Sequence, residues 1–410
     1  MRKTCIFTLM AMAVLPLSAK KLRSYGDRTE SVFTETPIHF KPDTYNREGI
    51  KADENNIIHL ADGRIILKKM QIPEYEKDMN ILLDVSLRSN GDRWDKTGSL
   101  FILPNEAAIN LLSVASGERK FPAIDSVRYE KLNGVVAGKD YVPTLELLRF
   151  MTPFGVGYYS NDTLKRKPIF VDGWAESVEW SQNITEYRSR LQGEVWIGAF
   201  IDSWTPEGYK ISVKLTYDEL GYKEALQPKT KITPILNTLP YIGSMSVPDI
   251  FARKPLEVPF EIPQGAKNVR LKYTVTGHGG HSGGDEFTPC ENIIEVDNKE
   301  VYRFLPWRTD CATFRRYNPS TYVWRIDREE EYRDPDTKEM KKRMVNEPLG
   351  SSDLSRSNWC PGSDVVPETI SLKDIKPGDH TLTIRIPKAE PAVGNKLNHW
   401  IVSAYLIWEE

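Results

Sequence analysis

Two segments of the sequence place a carboxylate close to a tryptophan at the end of a strand pattern. Asp95 follows Trp94 in a polar stretch between two strand patterns, and Asp202 lies two residues before Trp204 at the end of an apolar run. Carboxylates serve as general acids and bases, and indole rings offer large, flat contact surfaces for a ligand. Each segment taken alone is explained equally well as a solvated loop, because loops are polar by default.

A glycine-rich segment at 277–287 carries a third carboxylate, Glu286. Its glycines allow the backbone to approach a ligand closely and to adopt φ values that other residues avoid. His278, His281 and Asp285 of the same segment are typical metal-ligand types, so a metal site is one interpretation of this stretch. No HExxH pattern accompanies them, and a loop without any ligand is a further interpretation.

A fourth segment, at 356–362, contains a cysteine in a tight Pro-Gly turn. Cys360 is therefore a candidate disulfide anchor. Arg356 and Trp359 in the same stretch either line a site or cap the surface.

The composition excludes a nucleic-acid partner. The 410 residues include 55 Lys and Arg against 57 Asp and Glu, so the net charge is −2. A nucleic-acid-binding protein needs a basic excess to displace counterions from phosphates. Hydrophobic residues make up 40% of the chain, which is typical of a globular protein, and the length indicates two or three domains.

The N-terminus has the pattern of a cleavable signal peptide. Arg2 and Lys3 precede an apolar stretch at 6–17, and cleavage is expected after Ala19. The stretch is too short to cross a bilayer, and no other segment predicts a membrane span. A secreted or periplasmic location follows. The mature chain keeps three cysteines, which allow one internal disulfide and one free thiol: Cys290, Cys311 and Cys360.

The hydrophobic pattern predicts an all-β protein. Polar and apolar residues alternate at 211–217, 271–275 and 382–386, as half-buried strands require. More deeply buried strands are predicted at 194–203, 292–304 and 400–408, an edge strand at 255–263, and a short helix at 106–115. Many short strands separated by turns favour antiparallel sandwiches of the jelly-roll type. Charged stretches at 327–342 and 164–167 are interpreted as surface loops.

A break in the strand pattern near 226–240, where prolines interrupt it, suggests a domain boundary. We predict two packed antiparallel β-sandwich (jelly-roll) domains with a short N-terminal extension. The predicted segments are a signal peptide at 1–19, an extension at 20–68, a first jelly roll at 69–228 and a second at 229–410.

Taken together, these motifs resemble the secreted bacterial peptide-N-glycosidases of the PNGase F type. The resemblance runs in order from about residue 80 to the C-terminus. Each motif alone is weak, but the collinear set is specific, and Trp-Cys-Pro-Gly with its upstream arginine is the strongest member. The matching motifs are Trp94-Asp95, the segment 149–154, Asp202-Ser203-Trp204, the segment 277–287, and Arg356 with the segment 359–362.

The resemblance implies an amidase that releases the N-glycan from asparagine and leaves aspartate, with no metal or cofactor. It makes Asp95 the principal catalytic residue and Glu286 a second essential acid, and it places Asp202 on the third carboxylate of the catalytic set. We expect Asp202 to hold the first sugar by hydrogen bonds. Arg356 would polarise the amide carbonyl or orient Glu286. The other residues assigned to substrate binding are Trp94, Trp204, Trp359, Lys96, Phe287 and His278.

The sequence departs from the family pattern in several places. Asp202 stands where the family has glutamate, and Lys96 where arginine is common. Two small disulfides are missing, and the loops at 104–143 and 322–349 are longer than expected. The family pattern implies a disulfide between Cys311 and Cys360, which leaves Cys290 free.

Two other functions stay open from the residues alone. A non-catalytic glycan-binding jelly roll would use the same aromatic residues without needing Asp95. A metal-dependent hydrolase would use the segment with His278 and His281. The expected partners are N-glycosylated peptides or glycoproteins, and the expected state is a monomer.

Overall fold

Strands dominate the structure, as the sequence pattern predicts. The computed structural model describes residues 23–45, 50–104, 107–122, 133–138, 140–156, 171–220, 229–242, 249–279 and 284–410. Within these ranges α-helix is confined to three short segments: α1 (Pro42–Tyr45), α2 (Leu111–Ala115) and α3 (Ile250–Arg253). None of the helices in the described part of the chain has the length and apolarity that crossing a membrane requires. The predicted helix at 106–115 forms only over α2.

The first sandwich packs a four-stranded sheet against a six-stranded one. Sheet A has the order β1 (Arg28–Ile38), β9 (Tyr209–Glu219), β4 (Met79–Ser89) and β7 (Val178–Asn183). Sheet B has the order β17 (Asp364–Val365), β6 (Leu145–Met151), β5 (Thr97–Leu103), β8 (Gly193–Ile201), β3 (Ile65–Ile72) and β2 (Ile57–Leu60). Alternate residues of β4 are buried, because one face of sheet A meets the core and the other does not.

The second sandwich has two four-stranded sheets. Sheet C has the order β10 (Thr230–Asn237), β20 (His399–Glu409), β12 (Lys267–His278) and β18 (Glu368–Ser371). Sheet D has the order β11 (Leu256–Ile262), β19 (Gly378–Arg385), β13 (Asn292–Val296) and β14 (Lys299–Phe304). The predicted edge strand at 255–263 is confirmed, since β11 lies at the edge of sheet D, where its proline removes no ladder hydrogen bond from a central strand.

The two sandwiches are joined through the outer face of sheet B. Every residue of β5 and β6 is buried, because the second half of the chain covers the face that the first core does not use. Phe101 and Phe200 of sheet B pack with Tyr241 and Ile401 of the second half. The short strand β17, although it comes from the second half of the chain, pairs with β6 and continues sheet B.

A buried ion pair reinforces this junction. Arg149 of β6 donates to both carboxylate oxygens of Glu146, at 2.6 and 2.8 Å. It also donates to the Thr276 hydroxyl of β12 at 3.1 Å, and to the carbonyl of Ile401 in β20 at 3.2 Å. The pair therefore links the first sandwich to sheet C, and its own hydrogen bonds offset the cost of burying two charges.

The N-terminal part of the chain belongs to the first sandwich. The extension predicted at 20–68 contributes β1 to sheet A, where it pairs with β9, and β2 to sheet B. The proposed start of the jelly roll at residue 69 falls inside β3. Register shifts within β1 interrupt its polar–apolar alternation, which explains why the pattern of this strand is weak in the sequence.

Three other sequence interpretations need correction. The stretch at 292–304 is a hairpin of two strands, because Asp297 and Asn298 adopt positive φ values and form the turn. The prolines near 226–240 do not end the strand pattern there. Pro234 lies in edge strand β10 at a register shift, where a proline is tolerated.

The charged stretch at 327–342 is not a loop. It belongs to a hairpin of β15 (Val323–Arg333) and β16 (Met340–Gly350), supported by cross-strand ion pairs such as Arg343 with Glu330. Both faces of this hairpin carry charges, so the period of two is hidden in the sequence. The stretch predicted as a loop at 164–167 lies outside the described residues.

Candidate active site

Asp95 and Asp202 lie at neighbouring strand ends of sheet B. Asp95 precedes β5 and Asp202 follows β8, and these antiparallel strands pair Gly98 with Ile201. The backbone N–H of Asp202 donates to the carbonyl of Thr97 at 3.0 Å. Because adjacent antiparallel strands begin and end at the same edge, residues more than a hundred positions apart in sequence become neighbours.

Asp92 fastens the two loops that carry these carboxylates. Its buried side chain accepts the Trp94 backbone N–H at 3.1 Å through one oxygen, and the Ser203 hydroxyl at 2.8 Å through the other. The first contact is a local Asx-type bond, which favours a turn just before Asp95. The sequence offered only a weak signal for this role, an aspartate two residues before the Trp94 amide, and it gave no hint of the contact with Ser203.

The segment from Trp94 to Lys96 is held on its other side by Thr152. The Thr152 hydroxyl accepts the Lys96 backbone N–H at 2.7 Å and donates to the Trp94 carbonyl at 3.1 Å. The Tyr209 hydroxyl donates to the same carbonyl. The backbone on both sides of Asp95 is thus fixed by buried groups, as a precisely placed functional side chain requires.

The second sandwich contributes Glu286 and Arg356. Arg356 donates from Nε to Oε1 of Glu286 across 2.8 Å. Its guanidinium carbon lies 4.9 Å from the ring centres of both Phe287 and Trp359. The backbone N–H of Ser357 donates to the Glu286 carbonyl at 3.0 Å. Side chain and backbone contacts together set the orientation of the glutamate.

The turn before Glu286 depends on Gly279. This residue has φ +141°, and a Cβ placed on it would lie 2.2 Å from Oδ1 of Asn398. A larger residue is excluded there both by backbone strain and by close approach. The Gly279 backbone also forms a hydrogen bond with the Glu286 carboxylate. The following residues, 280–283, lie outside the described part of the chain and include His281.

The predicted disulfide is confirmed. Cys311 and Cys360 are bonded, and Cys290 is a free, buried thiol. The turn that contains Cys360 is also attached to β6, since the Gly362 N–H donates to the Met151 carbonyl at 3.1 Å. These links hold the segment that carries Arg356 against the end of sheet B where Asp95 lies.

Asp95 and Glu286 are electrostatically coupled across the junction. Burial raises the pKa of Asp95, and the neighbouring charges of Arg356 and Lys96 oppose that rise. Burial also raises the pKa of Glu286 to about 7; Arg356 opposes this effect and the charge of Asp95 adds to it. Two carboxylates in one partly dehydrated site disfavour ionisation of both groups. Below about pH 7 the pair therefore retains one proton.

Asp202 belongs to a separate cluster beside this pair. Its Oδ1 accepts a hydrogen bond from Arg64 at 3.2 Å. The Arg64 guanidinium lies 4.3 Å from the centre of the Trp204 ring, and Phe40 contacts the same ring at 5.1 Å. Trp204 is 55% exposed, so this ring has a free face. Sequence reasoning missed Arg64 and Phe40, because nothing in their local pattern marks them.

The remaining aromatic candidates differ in exposure. Trp94 is partly exposed and contacts Tyr322 at 5.7 Å. Trp359 is only 2% exposed and offers no free face. His278 is buried between Trp359, at 5.5 Å, and His399, at 5.1 Å. Trp359 and His278 therefore support the site from beneath, in contrast to the stacking role expected for the tryptophan.

Among the described residues, no group of three or more ligand-type side chains that includes a histidine lies close enough to share a metal ion. Asp310, Cys311 and Cys360 are close enough there to share an ion, but both sulfurs are engaged in the disulfide. His278 donates or accepts at the Thr276 hydroxyl, 2.7 Å away, and burial lowers its pKa well below the usual value.

Comparisons with family profiles and with solved structures point to the same family. The family profiles described as "Peptide-N-glycosidase F, N terminal" and "Peptide-N-glycosidase F, C terminal" match residues 29–217 and 246–407. The structure of PNGF-II is 34% identical, with a TM-score of 0.78, over 94% of this chain and 66% of that one. No match was found among curated proteins.

A more distant structure has a similar fold. It is PNGase F, described as a glycosylasparaginase from Flavobacterium meningosepticum, with 13% identity and a TM-score of 0.57 over 94% of this chain and 96% of that one. At this identity the similarity shows the fold alone. The present chain spans about two thirds, 66%, of the length of the PNGF-II chain.

Proposed function

The chain belongs to the peptide-N-glycosidase F family, and from this membership we propose that it hydrolyses the β-aspartylglucosaminyl amide bond of N-glycosylated peptides or proteins. Family and fold support a role in glycoprotein deglycosylation. The observation that carries the specific reaction is the meeting of Asp95 from the first sandwich with Glu286 and Arg356 from the second.

The reaction needs one water molecule and no other reactant. The water oxygen bonds to the side-chain carbonyl carbon of the glycosylated asparagine, and the bond from that carbon to nitrogen breaks. A proton from water passes to the nitrogen, so that a glycosylamine leaves and aspartate remains. In this scheme Asp95 orients the water and accepts its proton, and Glu286 holds the proton that the leaving nitrogen requires.

Arg356 acts through Glu286. Its Nε is bonded to the Glu286 carboxylate, and one of its terminal nitrogens donates to the Leu354 carbonyl at 2.9 Å. With these directions occupied and its faces covered by rings, the guanidinium is suited to orienting the glutamate. Of the two roles considered for Arg356, this geometry favours the orienting one.

Asp202 and its surroundings are suited to holding the first sugar. The free face of Trp204 provides an apolar platform, and the Asp202 and Arg64 side chains provide acceptor and donor groups beside it. Asp202 is one methylene shorter than the glutamate of the family pattern. A water molecule would then bridge the added distance to a sugar hydroxyl.

Secretion or export to the periplasm is part of the proposal. The disulfide between Cys311 and Cys360 favours an oxidising compartment, and the family supports the same location. The segment interpreted as a signal peptide, 1–19, lies outside the described residues. We propose that the protein acts as a monomer on glycopeptides or glycoproteins.

The decisive experiment is mass spectrometry of a glycopeptide incubated with the purified protein in heavy-oxygen water. The proposal predicts loss of the whole glycan and an aspartate that contains one heavy oxygen atom. Asp95→Asn is the matched control and should leave the glycopeptide intact. A glycopeptide that is bound but unchanged would identify a glycan-binding protein, and a peptide that keeps its first sugar would identify a glycosidase.

A further inference from the structure

An exposed strip of apolar side chains leads away from the loop that carries Asp95. It consists of Trp94, Tyr322, Trp324 and Ile326, whose exposed fractions are 36, 41, 44 and 38%. Single exposed hydrophobic residues are common on protein surfaces, but a continuous series is unusual and marks an interaction site. None of the steps proposed for the amide hydrolysis uses the last three residues.

The four residues form one continuous row. Trp94 contacts Tyr322 at 5.7 Å. The Arg93 guanidinium lies 5.0 Å from the centre of the Trp94 ring and 5.7 Å from that of Tyr322, and it donates to the Tyr322 hydroxyl at 2.6 Å. The hairpin ladder extends to Tyr322, because the Ser351 N–H donates to its carbonyl at 2.7 Å. Tyr322 and the next two members are spaced two residues apart along the strand, which places their side chains on one face.

The strip extends away from the cluster of Asp202, Arg64 and Trp204, which we propose binds the first sugar. Sheet B has β6 on one side of β5 and β8 on the other, and Asp202 with Arg64 lies on the β8 side. The chain before the hairpin lies on the β6 side, where the Ser320 N–H donates to the Phe154 carbonyl at 3.0 Å. Asp95 lies between these two directions, at the start of β5.

If the sugar of the substrate lies on the β8 side of Asp95, the polypeptide at the other end of the scissile amide extends toward the β6 side. Charged groups on the same face of the hairpin are paired with one another, as Arg328 is with Glu347 at 2.8 Å and Arg343 with Glu330 at 2.7 Å. Recognition along this face therefore falls to Trp324 and Ile326. Both strands of the hairpin are also edge strands, which can pair with an extended chain.

We propose that this strip binds the polypeptide of the substrate, favouring extended segments with apolar residues near the glycosylated asparagine. The proposal rests on the function proposed above, because it places the polypeptide opposite the sugar. It makes Tyr322, Trp324 and Ile326 specificity-determining residues.

The test compares two glycopeptides with the same glycan. One is short and polar; the other is longer and carries leucine and phenylalanine on both sides of the asparagine. The variant is Trp324→Ala with Ile326→Ala. The matched control is Met344→Ala, which removes an exposed apolar side chain from the opposite face of the same hairpin, where Met344 pairs with Glu329.

We expect the double variant to raise KM for the long apolar substrate about tenfold, as the loss of one buried apolar contact would. Its kinetics on the short substrate should equal those of the wild type, which also shows that the variant is folded. Met344→Ala should leave the kinetics on both substrates unchanged. Equal losses on both substrates would overturn the proposal, as would a loss that disappears when the outer sugars are trimmed.

A second measurement separates this proposal from the catalytic one. The long peptide without its glycan is titrated into the wild type, the double variant and Met344→Ala. Weaker binding only by the double variant supports the strip even if no glycopeptide is cleaved. Equal binding by all three proteins would overturn the proposal even if the amidase activity is established.

Discussion

Arg356 donates to Glu286 across 2.8 Å from a side chain that is only 2% exposed. The arginine is buried and Glu286 is partly buried, so this contact between residues 70 positions apart is not a surface salt bridge. Even so, the pKa of Glu286 remains raised, to about 7, because burial and the charge of Asp95 outweigh the arginine. The arrangement keeps a glutamate oriented by a cation and yet protonated near neutral pH, as a proton donor needs to be.

Replacement of Asp95 by asparagine is predicted to reduce glycan release by at least about 10²–10⁴-fold, because it removes the base while keeping the size of the side chain. The measurement is the rate of glycan release from a glycopeptide. Thermal unfolding of the variant should match that of the wild type. Asp202→Asn should act more mildly and mainly on KM, since Asp202 is assigned to sugar binding; a near-normal rate for Asp95→Asn would contradict the assignment.

The pH dependence should follow the shared proton. Activity is expected to rise as Asp95 loses its proton and to fall as Glu286 loses its own, near its pKa of about 7. The charged groups that influence the pKa values of Asp95 and Glu286 are these two carboxyls themselves and Arg356, Lys96 and Asp92. A profile of kcat/KM against pH should therefore be bell-shaped. In Glu286→Gln the residual activity should lose the alkaline limb, and an alkaline limb that persists unchanged would exclude Glu286 as its source.

Asp92 is predicted to act as a positioning residue. Its charge raises the pKa of Asp95, so Asp92→Asn should move the acid limb of the pH profile to lower pH. It should also lower kcat, because one oxygen that holds the Trp94 or Ser203 loop is replaced by an amide nitrogen. Ser203→Ala is the matched control: it removes the same hydrogen bond but no charge, and should leave the acid limb in place. The same shift in both variants would point to a purely structural role.

The junction between the sandwiches should depend on Arg149. Arg149→Met leaves Glu146 buried without its partner, which is expected to lower the free energy of unfolding by about 3–5 kcal/mol. Replacing both residues, as in Glu146→Leu with Arg149→Met, should cost less than the single change. Urea unfolding followed by tryptophan fluorescence measures both. A double variant at least as unstable as Arg149→Met would show that the stability comes from the contacts with Thr276 and Ile401.

The sequence was sufficient to predict the strands whose two faces differ in environment. Alternation at 211–217 and 271–275 corresponds to β9 and β12, and the all-β class follows from many such strands. The pairing of Cys311 with Cys360 came from the family resemblance and is confirmed. Where both faces are solvated, as in the 323–350 hairpin, the alternation disappears and the strands were missed.

The tertiary structure decided which side chains surround the predicted acids. Arg64 contacts Asp202 from 138 residues away, and Asp92 contacts Ser203 from 111 residues away; no local pattern encodes such hydrogen bonds. It also decided that Trp359 is buried while Trp204 is exposed. The exposure of each ring depends on whether another segment of the chain covers it, and the neighbouring residues in the sequence do not show this. Residue types and their neighbours in the sequence therefore identified the candidate acids, and the packing of the two sandwiches determined their hydrogen-bond partners and the surfaces beside them.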